Sequence, residues 1–73
     1  MSEYGVVLFH TTSSAIRAEK MLKKEGFAVK LIPTPRQFSS DCGVALRFEL
    51  EQEKNVKELL ERVKVEVAHV HAL

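Results

Sequence analysis

One cysteine, Cys42, closes the stretch Pro33-Thr34-Pro35-Arg36-Gln37-Phe38-Ser39-Ser40-Asp41-Cys42-Gly43. The residue types around it suit a thiolate nucleophile. Arg36 offers a fixed positive charge, Ser39 and Ser40 offer hydroxyls, and Gly43 lets a partner approach the backbone closely. Lying between Asp41 and Gly43 at a turn, the thiol is expected at the surface, whereas free cysteine is more usually buried as a small hydrophobe. A cation or a helix N-terminus beside a thiol lowers its pKa from ~8.5 to roughly 3.5–7.5. Asp41 opposes that shift unless its carboxylate is occupied in capping the turn. A second cluster, Thr11-Thr12-Ser13-Ser14, carries surplus hydroxyls and no acid before Glu19. A helix starting there keeps its positive end open to an external anion, a thiolate or a bound ligand. His10 is a candidate base for Cys42. His69 and His71, in HVH spacing, share one face of a strand but lack a third ligand, so no metal site is expected.

Each of these residues also has a plainer reading. Thr11–Ser14 serve as an N-cap with spare hydroxyls, Ser39 and Ser40 as turn formers, and Asp41 as a turn cap. On that reading Arg36 is a solvated loop charge, Phe38 pins the loop to the core, and Cys42 is inert.

Six elements must position the loop. Tyr4 to His10 is a β-rich apolar run, read as a strand. Ser13 to Glu25 reads as a helix, with Ala15, Ala18, Met21 and Leu22 at helical spacing and Gly26 as its C-terminal stop behind Lys23 and Lys24. Phe27 to Pro33 alternates as a second strand, ended by Pro33 and Pro35. Gly43 to Leu50 alternates cleanly as a third. Glu51 to Arg62 places Val56, Leu59, Leu60 and Val63 on one helical stripe. Val63, Val65 and Val67 alternate as a last strand, whose phase blurs at Ala68-His69-Val70-His71.

The order β-α-β-β-α-β predicts a ferredoxin-like α+β domain spanning residues 1–73, a four-stranded antiparallel sheet with both helices on one face. Right-handed crossovers bring the ends of the first two strands to the same edge. Thr11–Ser14 and Thr34–Gly43 are therefore expected as neighbours, with His69 and His71 at the opposite edge. The first strand is apolar in both phases, Val6 and Leu8 on one face and Val7 and Phe9 on the other. One pair should lie uncovered, which predicts a homodimer through the open sheet face or docking on a larger enzyme.

Composition narrows the function. Among 73 residues, 11 basic side chains against 10 acidic ones give a net charge of +1, which does not suit wrapping nucleic acid. The third strand has one aromatic, Phe48, in its apolar phase, so no base-stacking platform is expected. A single cysteine excludes a disulfide framework and a multi-thiol metal carrier, and it fits a reducing, cytoplasmic location. No run is long enough to span a membrane.

From Val7 to Phe48 the sequence closely resembles a family of small bacterial and archaeal selenium/sulfur carrier-like proteins, formerly a domain of unknown function. Its most specific pieces are HTTSSAIRAEK and LIPTPRQFSSDCG. The resemblance implies a carrier rather than a true enzyme, with Cys42 holding sulfur or selenium as a persulfide or selenopersulfide. It further implies a cysteine desulfurase as donor and a selenium- or sulfur-metabolism enzyme as acceptor, with no cofactor. The competing expectation is a non-catalytic module that grips a small anion or a protein partner, its cysteine incidental.

Overall fold

Tyr4–Leu8 forms the first strand, β1, and buries side chains on both faces, Val7 on one and Val6 and Leu8 on the other. In the computed structural model, which describes residues 3–38 and 43–73, everything else is arranged around that strand. The first helix, α1 (Thr12–Lys24), starts where Thr11 turns extended backbone into an N-cap, its side chain accepting from the Ser14 N–H. Ala15, Ala18 and Leu22 are its buried stripe. Lys23 and Lys24 sit in its last turn, where cations complement the helix dipole, and Gly26 leaves it at φ 90°, a conformation that favours glycine.

The chain then runs through β2 (Lys30–Pro33), β3 (Val44–Glu49), a 3-10 turn over Leu50–Gln52, α2 (Glu53–Arg62) and β4 (His69–Ala72). The sheet order is β2-β3-β1-β4, with every neighbouring pair antiparallel. This is the ferredoxin-like α+β arrangement. β2 is shorter than its alternation predicts, because pairing with β3 begins only at Lys30, opposite Arg47.

The last strand lies elsewhere than the valine alternation predicts. Val63, Val65 and Val67 belong to the connection from α2. Lys64 adopts a left-handed φ of 58°, and the Val65 N–H returns to the Leu60 carbonyl at 3.0 Å, which turns Val65 into the core. The Arg17 guanidinium donates to the Val63 carbonyl at 3.0 Å and ties this exit to α1. Pairing with β1 is joined by the Ala68 N–H, which donates to the Leu8 carbonyl at 2.8 Å. His69 then pairs with Leu8 and His71 with Val6.

Both helices pack on the face that presents Val7, Phe9, Leu46 and Phe48, which with Ala15, Ala18, Leu22, Val56 and Leu60 form the main core. Each such large apolar side chain contributes about 1.5–3 kcal/mol by leaving water. Gly5, the register partner of Phe48, is part of that fit: a Cβ there would lie 2.6 Å from Phe48 Cζ. The opposite face has a smaller core of its own, Val6, Leu8 and Ala45, covered by Ile32, Phe38 and Ala68.

Candidate functional site

The loop that follows β2, as far as Phe38, folds across the face that the helices leave open. Its base is closed by the Thr34 N–H, which donates to the Gly43 carbonyl at 3.1 Å, one residue beyond the strand pair Pro33 and Val44. The Phe38 N–H donates to the Pro35 carbonyl at 3.0 Å, so residues 35–38 form a β-turn with Arg36 and Gln37 exposed at its corner. Proline at the first position of the turn stiffens it. Phe38 then joins Val6, Leu8 and Ala45, and its ring stacks on His71 with centroids 4.4 Å apart and planes 11° from parallel. His69 lies beside His71, centroids 5.7 Å apart and tilted by 37°. The loop leaves β2, the outermost strand on one side of the sheet, and Phe38 meets a residue of β4, the outermost strand on the other, a crossing of three strand spacings, about 14 Å.

Two sequence expectations change as a result. His69 and His71 do not lie at the edge opposite the loop: β4 begins at His69, beside the end of β1, and His71 is the platform for the loop's own aromatic. The misplacement follows from starting the strand at Val63. A strand that starts at residue 69 enters the sheet at the loop's edge. Likewise, Val6 and Leu8 are not an uncovered pair. They are 0% and 1% exposed, because Ile32, Phe38 and Ala68 close over them from within the same chain. The homodimer expected through an open apolar face therefore loses the surface that argued for it. What remains exposed and apolar on that side is Tyr4 and Leu73, at the end away from the loop.

The start of α1 and the base of the loop do share one edge, as the pairings Leu8 with Ala45 and Pro33 with Val44 require. From there they diverge: α1 packs on one face of the sheet, and the loop as far as Phe38 turns onto the other. The cluster hydroxyls are partly used locally. Thr11 Oγ1 donates to Ser14 Oγ at 3.0 Å and accepts from the Ser14 N–H at 3.2 Å. Thr12 and His10 are engaged as well, and Ser13 is exposed. No acid occupies the first turn of α1, whereas α2 has Glu53 in its own.

Ser39, Ser40, Asp41 and Cys42 lie outside the described residues. Their neighbour Gly43 is informative. It is exposed, its backbone is not left-handed, and a Cβ on it would meet nothing within 4 Å. Neither packing nor backbone conformation within the described residues demands a glycine there, in contrast to Gly5. Among the described residues no three His, Cys, Asp or Glu side chains are grouped as metal ligands would be. His71, which Phe38 covers, had a discernible signal: Val70 is half-buried between two histidines, an inside-outside alternation across His69-Val70-His71.

The sequence profile of the family described as "Putative Se/S carrier protein-like" matches residues 4–72, from the first residue of β1 to the last of β4. The chain belongs to that family. This Se/S carrier-like chain is also 33% identical over 57 residues to the uncharacterized protein MJ0011 of Methanocaldococcus jannaschii. The match takes in 78% of the chain and spans only 28% of that relative's length. No solved structure matches. No helix among the described residues is long and apolar enough to cross a membrane.

Proposed function

We propose that this Se/S carrier-like protein holds a sulfur or selenium atom on Cys42, as a persulfide or selenopersulfide, and passes it from a donor protein to an acceptor. Family membership across residues 4–72 carries the reading. The covalent step needs no external oxidant. The Cys42 thiolate attacks the outer sulfur of a donor persulfide, a new S–S bond forms as the donor's breaks, and the donor departs as a thiolate. An acceptor nucleophile repeats the exchange and frees Cys42.

Three features of the described residues support this role. The Thr34–Gly43 bond and the Phe38 anchor hold both flanks of the loop tip, which limits the ordering cost when a partner engages it. Gly43, the residue after Cys42 in the chain, has no described side chain crowding its backbone. Arg36, exposed at the turn's corner, supplies the positive charge that favours a thiolate or persulfide anion. In this scheme Ser39 and Ser40 hydrogen-bond the sulfur anion, and the α1 start at Thr11–Ser14 adds its dipole from the shared edge. A cysteine desulfurase serves as donor, and a selenium- or sulfur-metabolism enzyme in the cytoplasm as acceptor.

Alkylation of Cys42 across pH, in folded and denatured protein, tests the activation. The expected result is a folded-state pKa below the denatured value, moved upward by Arg36→Gln. A thiol that reacts only after unfolding would make Cys42 structural and sink the proposal.

A further inference from the structure

At the end of the sheet away from the loop, the open face changes character. Lys30 on β2 and Arg47 on β3 are direct register partners, so two cations stand opposite each other on one face. Like charges in that position destabilise a strand pair. Neither makes an ion pair with a described residue, although Glu49 is close by. The Arg47 guanidinium is laid over the Tyr4 ring, its carbon 4.4 Å from the ring centroid, a cation–π contact that leaves its N–H groups without an ion-pair acceptor among the described residues. Tyr4, Lys23, Val29, Lys30, Arg47 and Glu49 line a surface groove of about 400 Å³, a volume that suits a small molecule. Lys23 shares its charge with Glu19 at 3.4 Å, which leaves Lys30 and Arg47 as the groove's cations without an ion-pair partner among the described residues.

We infer that this groove binds a small molecule through a doubly charged oxyanion head, a phosphate or paired carboxylates, held between Lys30 and Arg47. The Arg47 guanidinium takes two oxygens, Lys30 takes a third, and the bound charge relieves the cross-strand repulsion. The exposed Tyr4 ring offers apolar surface to the rest of the ligand, and Glu49 disfavours a third negative charge. The site lies at the opposite end of the sheet from Gly43 and does not depend on Cys42.

The test is an NMR titration of the full chain at low salt with inorganic phosphate, phenyl phosphate and malonate. The expected outcome is saturable shifts centred on Lys30 and Arg47, with Kd of the order of a millimolar for phosphate and tighter binding of phenyl phosphate. Lys30→Gln and Arg47→Gln should each weaken binding about tenfold. Lys30→Gln should also raise the melting temperature at low salt, with the gain lost at high salt. Malonate shifting these residues more than phosphate identifies paired carboxylates as the head, and the reverse identifies phosphate. Absence of saturable shifts with all three probes, shifts unchanged in both variants, or equal shifts at Lys54 and Lys57 on α2 would overturn the inference.

Discussion

The two faces of the sheet are closed by different means. One is covered by two helices whose stripes interlock with Val7, Phe9, Leu46 and Phe48; the other is covered by Ile32, Ala68 and the loop aromatic Phe38, which rests on His71. Both covers are demanded by the same strand, since β1 is apolar in both phases. The helical cover is extensive and commits the chain to its fold. The loop cover is small, and it belongs to the segment that carries Cys42. One strand can therefore bury both its faces, one under helices and the other under a few side chains from neighbouring strands and a loop.

Breaking the helical face should have the largest effect. Phe48→Ala removes a side chain only 1% exposed and should cost about 3–5 kcal/mol, enough to unfold much of a domain this size in a denaturant titration. Gly5→Ala drives a methyl against the Phe48 ring and the His71 carbonyl, and should cost about 1–3 kcal/mol by the same measurement. On the loop face, Phe38→Ala removes a half-buried ring and should cost about 1–2 kcal/mol. Its signature is local: amide exchange should accelerate at Val6 and Leu8 while the helical core stays protected. A double-mutant cycle between Phe38 and His71 should return a coupling of about 0.5–1.5 kcal/mol, and a coupling near zero would mean that the stack contributes nothing beyond its area. Smallest of all, Gly43→Ala should change stability by less than about 0.5 kcal/mol yet slow sulfur transfer from a donor protein. Unchanged transfer would remove close approach at residue 43 from the scheme.

Most of the fold was legible in the sequence because local signals agreed with one another. Thr11 as N-cap, Gly26 as left-handed exit and the alternation Val44-Leu46-Phe48 each named an element and its face. The last strand was not legible, because Val63, Val65 and Val67 imitate a strand while serving as an apolar connection. What decides the matter is long-range, the Ala68 bond to Leu8 and the left-handed turn at Lys64. The same shift hid the partner of Phe38. The sequence reading of Phe38 as a pin for the loop agrees with its packing, but its platform, His71, could be found only once β4 had its true start. The reactive candidates Arg36 and Gly43 were named by residue type alone. Their exposure, and the absence of any described atom within 4 Å of a Cβ at Gly43, are tertiary facts that no local pattern encodes.

The most direct test of the central claim is the mass of the intact protein after incubation with a cysteine desulfurase and cysteine, with the modified residue mapped by peptide. The account predicts a gain of one sulfur atom on Cys42, reversed by a thiol reductant, and no gain in a Cys42→Ser variant whose circular dichroism matches the wild type. A Cys42→Ser protein that loads as fully as the wild type, or a wild type that never loads although its thiol alkylates freely, would contradict it.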